Sequence, residues 1–155
     1  MIRPATLADA QALADLWNRW IVGTAVTFAA TPKTRTDLAG MIATRPVFLT
    51  SDDCQAIATY DQFRGGNGYA TCMEHTILLA PDARHRGLGR ALLSALEDHA
   101  RALGAHQMIG GISGENPAAI AFHSAMGYRE VARISEAGFK FNRFMDLVLM
   151  RKFLT

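Results

Sequence analysis

The stretch Arg84-His85-Arg86-Gly87-Leu88-Gly89-Arg90 decides how the rest of this chain is read. On its N-terminal side, Thr76-Ile77-Leu78-Leu79-Ala80 is β-prone and stops at Pro81-Asp82, a turn signal. On its C-terminal side, Leu88, Ala91, Leu92, Ala95, Leu96, His99 and Leu103 recur at helical spacing, and Gly104 is placed to end the helix. A glycine-rich loop therefore leads from a strand into a helix N-terminus. Unpaired backbone N–H groups and the positive end of the helix dipole face outward there, which suits an anion and best of all a phosphate. Gly87 and Gly89 remove side chains that would keep a phosphate from the backbone, and Arg84, Arg86 and Arg90 add positive charge. The spacing also excludes two alternatives. It is neither Gly-x-x-x-x-Gly-Lys-Ser/Thr nor Gly-x-Gly-x-x-Gly, so a P-loop and a dinucleotide fingerprint are both absent.

With 155 residues, half of them hydrophobic, the chain reads as one domain, 1–155, with a real core. A net charge of +2 on scattered basic residues leaves no footprint for nucleic acid or an anionic membrane. The cluster at 84–90 is better explained by one small polyanion. Cys54 and Cys72 form neither a disulfide framework nor a CxxC pair, which fits a reducing cytoplasm. Met1-Ile2-Arg3-Pro4 does not open a signal peptide, and no apolar run approaches the ~18 residues a membrane span needs. The five His are dispersed, without metal-ligand spacing.

Outward from the loop, the pattern predicts short elements. Met1 to Arg3 is a strand candidate, and Thr6-x-x-Asp9 a helix cap. Leu13, Leu16, Trp17, Trp20 and Ile21 then mark one helix face, on which both Trp read as core. A loop from Gly23 to Lys33 carries Phe28, and Thr34 or Thr36 caps a second helix through Ala43. Pro46 to Thr50 and Gln55 to Tyr60 read as strands around the turn Ser51-Asp52-Asp53. Arg64-Gly65-Gly66-Asn67-Gly68 is either a mobile substrate loop or a plain hairpin connection. Gln107 to Ile112 is a strand, and Asn116-Pro117 opens a helix that presents Ala119, Ile120, His123, Met126 and Gly127. Tyr128 to Ile134 and Phe144 to Phe153 close the chain as strands. The order β, α, α, β, β, β, α, β, α, β, β predicts an α/β (α+β) fold, a mixed, mostly antiparallel sheet with helices on both faces.

The loop Arg84-x-x-Gly87-x-Gly89 resembles the pyrophosphate loop of the GNAT acyltransferases, and the resemblance extends over nearly the whole chain. The closer resemblance is to the phosphinothricin acetyltransferase branch, which includes enzymes acting on methionine sulfoximine and methionine sulfone. Ile2-Arg3-Pro4-Ala5-Thr6 with Asp9, Thr27-Phe28 before Pro32, Phe63-Arg64 with Tyr69, and Glu74-His75-Thr76 carry it in the first half. Glu115-Asn116-Pro117-Ala118-Ala119-Ile120, His123-x-x-x-Gly127-Tyr128, Gly138-Phe139-Lys140 and Asp146 carry it in the second.

The resemblance implies acetyl-CoA as co-substrate, no metal, and direct acetyl transfer to the primary amine of a small amino-acid-like acceptor. In this fold the central strand splays from its neighbour, so that backbone groups of residues like Ile77 and Leu79 pair with the amides of pantetheine. Donors near Leu78 would stabilise the developing oxyanion, and the diphosphate would lie on His85, Arg86, Gly87, Leu88, Gly89 and Arg90. Glu74 stands where relatives place the base that the attacking amine needs; otherwise it is a strand-end carboxylate or a partner of His75. His123 is either the acid for the departing thiolate or a hydrogen-bonded core histidine. Asn116 would cap its helix and touch the cofactor. Phe28, Arg64 and Tyr69 would line the acceptor pocket, with Arg64 holding a carboxylate or standing as a solvated loop charge. The chain departs from the branch at Ala29-Ala30-Thr31, Leu78, Phe144 and Gly65-Gly66, which affects the acceptor side more than the cofactor side. Relatives are often dimers, and the apolar final strands offer a homodimer interface. A protein N-acetyltransferase of the same fold, a non-catalytic acyl-CoA sensor and a nucleotide-binding protein are the competing readings.

Overall fold

A computed structural model describes residues 1–155. Seven strands form one sheet in the order β1-β2-β3-β4-β5-β7-β6. They are β1 (Ile2–Pro4), β2 (Phe48–Ser51), β3 (Ala56–Gln62), β4 (Cys72–Leu79), β5 (Gln107–Ser113), β6 (Arg129–Lys140) and β7 (Arg143–Phe153). Only β4 and β5 run parallel. Four helices complete the fold: α1 (Ala10–Gly23), α2 (Arg35–Thr44), α3 (Leu88–Ala102) and α4 (Pro117–Ala125). The element order and the mostly antiparallel sheet are those the sequence predicts. No helix is long and apolar enough to cross a membrane.

Local chemistry explains the helix starts. The Asp9 carboxylate accepts from the Thr6 N–H at 2.8 Å and also pairs with Arg3. Thr34, not Thr36, begins α2, through reciprocal bonds with Asp37. Asn116 accepts from the Ala119 N–H at 3.2 Å, with Pro117 at the first helical position.

Strand alternation divides the interior in two. Ile57 and Leu78 face α1 and α2, packing with Leu13, Leu16, Trp17, Trp20 and Leu38. Ala56, Ala58 and Tyr60, with Ile77 and Leu79, face α3 and α4, where Leu92, Leu93 and Leu96 are fully buried. Each such leucine contributes about 1.5–3 kcal/mol on burial. Period two therefore sends Glu74 to the α1 side of β4 and His75 to the α4 side.

Two strands are longer than the sequence reading. β4 begins at Cys72 rather than Thr76, and β6 runs on past Ile134 to Lys140. The extension of β6 follows a register shift between Ile134 and Gly138, with Glu136 at φ +57°. That irregularity breaks the alternation by which a strand is recognised.

Candidate active site

The site begins where two strands part. β4 pairs with β3 through Ala56↔Leu79 but with β5 only from Cys72↔Gln107 to His75↔Gly110. From Thr76 to Leu79 the β5-facing edge of β4 has no strand partner. A cavity of about 300 Å³ occupies the gap. Its walls come from both faces of the sheet: Trp17 and Phe28 on the α1 side, Asn116, Ala119 and His123 on the α4 side. Glu74, Ile77, Leu78 and Leu147 also line it.

Glu74 lies in this gap, half-buried, and burial raises its carboxyl above the usual range while Arg45 pulls it back. No hydrogen bond contributes to its state. Gly111 makes the room: a Cβ there would stand 3.3 Å from Glu74 Oε2. The adjacent Gly110 serves the other face, where a Cβ would stand 3.1 Å from His75 Nε2. These glycines escape the sequence reading, although two consecutive glycines inside a strand signal a close approach.

His123 is 3% exposed, and both of its ring nitrogens are engaged. The Ala119 carbonyl can only accept, so Nδ1, at 2.7 Å, carries the proton. The Nε2 of a neutral His123 then accepts from His75 Nε2 at 3.2 Å. That assignment leaves His75 Nδ1 as a buried acceptor without a partner. The rings stack at 5.0 Å, with Tyr128 edge-on to both. Burial pushes His75 down to about 3 and lowers His123 as well. His75 is thus a further member of the site that the sequence reading treats only as a neighbour of Glu74.

The glycine-rich loop follows β4 by one turn. His85 and Gly87 adopt left-handed backbone, φ +64° and +73°, and Gly87 starts α3 without a side-chain cap. The first N–H groups of α3 are therefore free for an anion. Gly89 faces the interior. It is buried, and a Cβ on it would sit in ordinary van der Waals contact with the Phe122 ring, 3.5 Å away, so the packing of α4 against α3 does not by itself require a glycine there. The basic side chains are exposed. Arg84 lies 4.8 Å over the Trp20 ring, and Arg86 lines a second cavity of about 480 Å³ with Asp52, Asp53 and Ile2. The unpaired edge of β4 and the uncapped start of α3 together fit a ligand with an amide-bearing arm and a polyanionic head. No group of three or more His, Cys, Asp or Glu could hold a metal ion.

On the acceptor side the structure separates the expected residues. Phe28 lines the cavity. Arg64 and Tyr69 do not; they are exposed on the β3–β4 hairpin loop, Arg64 stacked 5.6 Å from the Tyr69 ring. That loop starts just beyond the Asp61↔Glu74 pair, at the Glu74 end of β4.

A parallel-strand splay beside an uncapped, glycine-led helix is the arrangement that the resemblance to acyl-CoA-dependent transferases implies. The chain matches the acetyltransferase (GNAT) domain over residues 2–149 and belongs to that family. It is 32% identical to the L-amino acid N-acyltransferase MnaT of Escherichia coli, over 97% of this chain and 91% of that protein. It is equally similar, 32% over 97% and 92%, to the L-methionine sulfoximine/L-methionine sulfone acetyltransferase of Salmonella typhimurium. Among solved structures, the Salmonella typhimurium acetyltransferase yncA with acetyl-CoA superposes with a TM-score of 0.95 at 30% identity, covering 100% of this chain and 94% of that one. A phosphinothricin acetyltransferase from Sinorhizobium meliloti in complex with acetyl-CoA gives 0.91 at 28%, covering 99% and 87%.

Proposed function

We propose that this protein, a single acetyltransferase domain, moves the acetyl group of acetyl-CoA to the primary amine of a small amino-acid-like acceptor of the phosphinothricin, methionine sulfoximine or methionine sulfone type. One observation carries the reading: a half-buried carboxylate, Glu74, held by no hydrogen bond, faces the cavity where β4 has lost its β5 partner. The activated acetyl group is what acetyl-CoA supplies. The backbone of Ile77, Leu78 and Leu79 would pair with its amide-bearing arm. The turn from Arg84 to Arg90, chiefly the N–H groups after Gly87, would take the diphosphate. Asn116 would lie beside the arm while capping α4.

An α-amino group is mostly protonated below its pKa of about 8. Glu74 accepts that proton, directly or through a water, and the neutral nitrogen attacks the thioester carbon. The new C–N bond would give a tetrahedral oxyanion that collapses with loss of the C–S bond; the second amine proton leaves through solvent, and the coenzyme thiolate departs and takes its proton there. His123, with both nitrogens engaged, shapes the wall and holds α4 to β4 rather than protonating the thiolate. Phe28 bounds the acceptor. Arg64 and Tyr69 meet an acceptor carboxylate only if the hairpin loop folds toward Glu74. Arg64→Ala would then raise the acceptor KM about tenfold with little effect on the KM for acetyl-CoA; an unchanged acceptor KM removes Arg64 from the site.

The partners we propose are this small acceptor and a second copy of the chain, in the cytoplasm, with no nucleic acid or membrane involved. Val131, Ile134, Phe139 and Phe144 are exposed apolar side chains on β6 and β7, and they offer the homodimer face. Sedimentation at tens of micromolar tests this; a monomer mass rejects it.

A further inference from the structure

Lys140 is 5% exposed, yet it carries an ammonium with no carboxylate against it. Its Nζ donates to three backbone carbonyls: Ile21 at 2.6 Å, Thr24 at 2.7 Å and Thr27 at 2.8 Å. An ammonium has three N–H donors, so donors and acceptors match one to one. A neutral amine would turn its lone pair on one of the carbonyls. Burying such a cation is costly, and what it gains is the C-terminal end of α1, where a positive charge also meets the helix dipole favourably.

Two residues earlier on the same strand, Gly138 receives the Phe28 ring. A Cβ on Gly138 would lie 2.4 Å from that ring, far inside contact distance, so the ring rests on bare backbone. The far end of the same loop is also fastened. The Asn18 side chain donates to the Lys33 carbonyl at 2.8 Å and accepts from the Lys33 N–H at 2.7 Å. Between these ties, Val26, Thr27 and Phe28 line the cavity.

We propose that Lys140 and Gly138 are positioning residues for the acceptor: they clamp the Thr24–Phe28 segment to the end of β6, so that Phe28 is a fixed wall whose place sets which amines fit. This rests on the reading that the cavity takes the acceptor amine. Neither residue touches the reacting atoms. Phe28 acts directly, and the two act through it.

The test uses the full chain and two variants, Lys140→Met and Gly138→Ala. Hydrogen exchange is followed on the peptide covering 22–30, acetyl-CoA affinity by calorimetry, and steady-state kinetics with methionine sulfone. The clamp predicts exchange at 22–30 faster by about tenfold or more in Lys140→Met. It predicts an acceptor KM raised about tenfold in both variants, with kcat and the acetyl-CoA Kd within about threefold of the parent. Folded variants with parental exchange and parental acceptor KM overturn it. So does an equal loss of affinity for acetyl-CoA and acceptor, which would mean general loosening. Should Lys140→Met not fold, the acceptor KM of Gly138→Ala decides, because the nearest atoms its added methyl meets are those of the Phe28 ring. If the parent protein turns over no amine, the proposed function fails. The exchange of Lys140→Met then still judges the clamp.

Discussion

Glu74 sits half-buried beside Gly111, and its carboxyl is raised above the ordinary range because burial disfavours the charged form. Two consequences run in opposite directions. As the base, it must be ionised, so the acid limb of kcat/KM should lie above an ordinary carboxylate value, and Glu74→Gln should lower kcat by about 100-fold. A variant retaining parental kcat from pH 6 to 9 would remove Glu74 from the chemistry. For stability, a raised folded-state pKa means the folded protein binds the proton more tightly than the unfolded chain. That contribution is full below the unfolded pKa and is lost as pH rises through the folded one. Glu74→Gln should therefore melt higher than the parent at pH 8, with the gain vanishing toward pH 4 in thermal scans. An equal or lower melting temperature at pH 8 would mean that Glu74 is held by the fold. Glu97 makes the contrast: it is 3% exposed and takes the Lys152 ammonium at 2.6 Å and the Tyr128 hydroxyl at 3.0 Å. Lys152→Met leaves that charge uncompensated and should cost about 3 kcal/mol in denaturant unfolding, without touching the acceptor KM.

β4 parts from β5 just beyond the His75↔Gly110 pair. Gly110 and Gly111 admit His75 on one face and Glu74 on the other. Gly110→Ala would crowd the stacked His75–His123 pair and should cost about 1–3 kcal/mol of stability, measured by urea titration; a neutral effect would show that the pair has slack. The order of elements and the strand–loop–α3 unit were legible because periodicity, Pro81 and the glycines agree with one another. Much of the site was not. In sequence β6 is recognisable only to Ile134, because the positive φ of Glu136 and the shift before Gly138 interrupt its alternation. Lys140 was therefore visible as a resemblance but not as a buried clamp. Arg64 and Tyr69 lie near Glu74 along the chain, but a hairpin loop carries them out of the cavity, a direction that no spacing encodes.

The helices lie on both faces of a sheet that the cavity pierces, so cofactor arm and acceptor can approach the gap from opposite sides. The His75–His123 pair is buried in one of those faces, and this makes the whole fold acid-sensitive. Burial holds His75 down to about 3, while an unfolded histidine titrates near 6.5. Between those values the unfolded chain binds more protons, so stability should fall as pH drops from about 6.5 toward 3. Melting temperatures from pH 7.5 to 4.5 should decline steadily, and His75→Gln should flatten that decline; an unchanged slope would place the acid sensitivity elsewhere. The most direct measurement on the molecule as a whole is free-thiol release from acetyl-CoA, with methionine sulfone, methionine sulfoximine, phosphinothricin, ordinary amino acids and short peptides as acceptors. Turnover on one or more of the amino-acid analogues, abolished or nearly so by Glu74→Gln, is the predicted result. Turnover only on peptides, or none on any amine while acetyl-CoA binds by calorimetry, would contradict it.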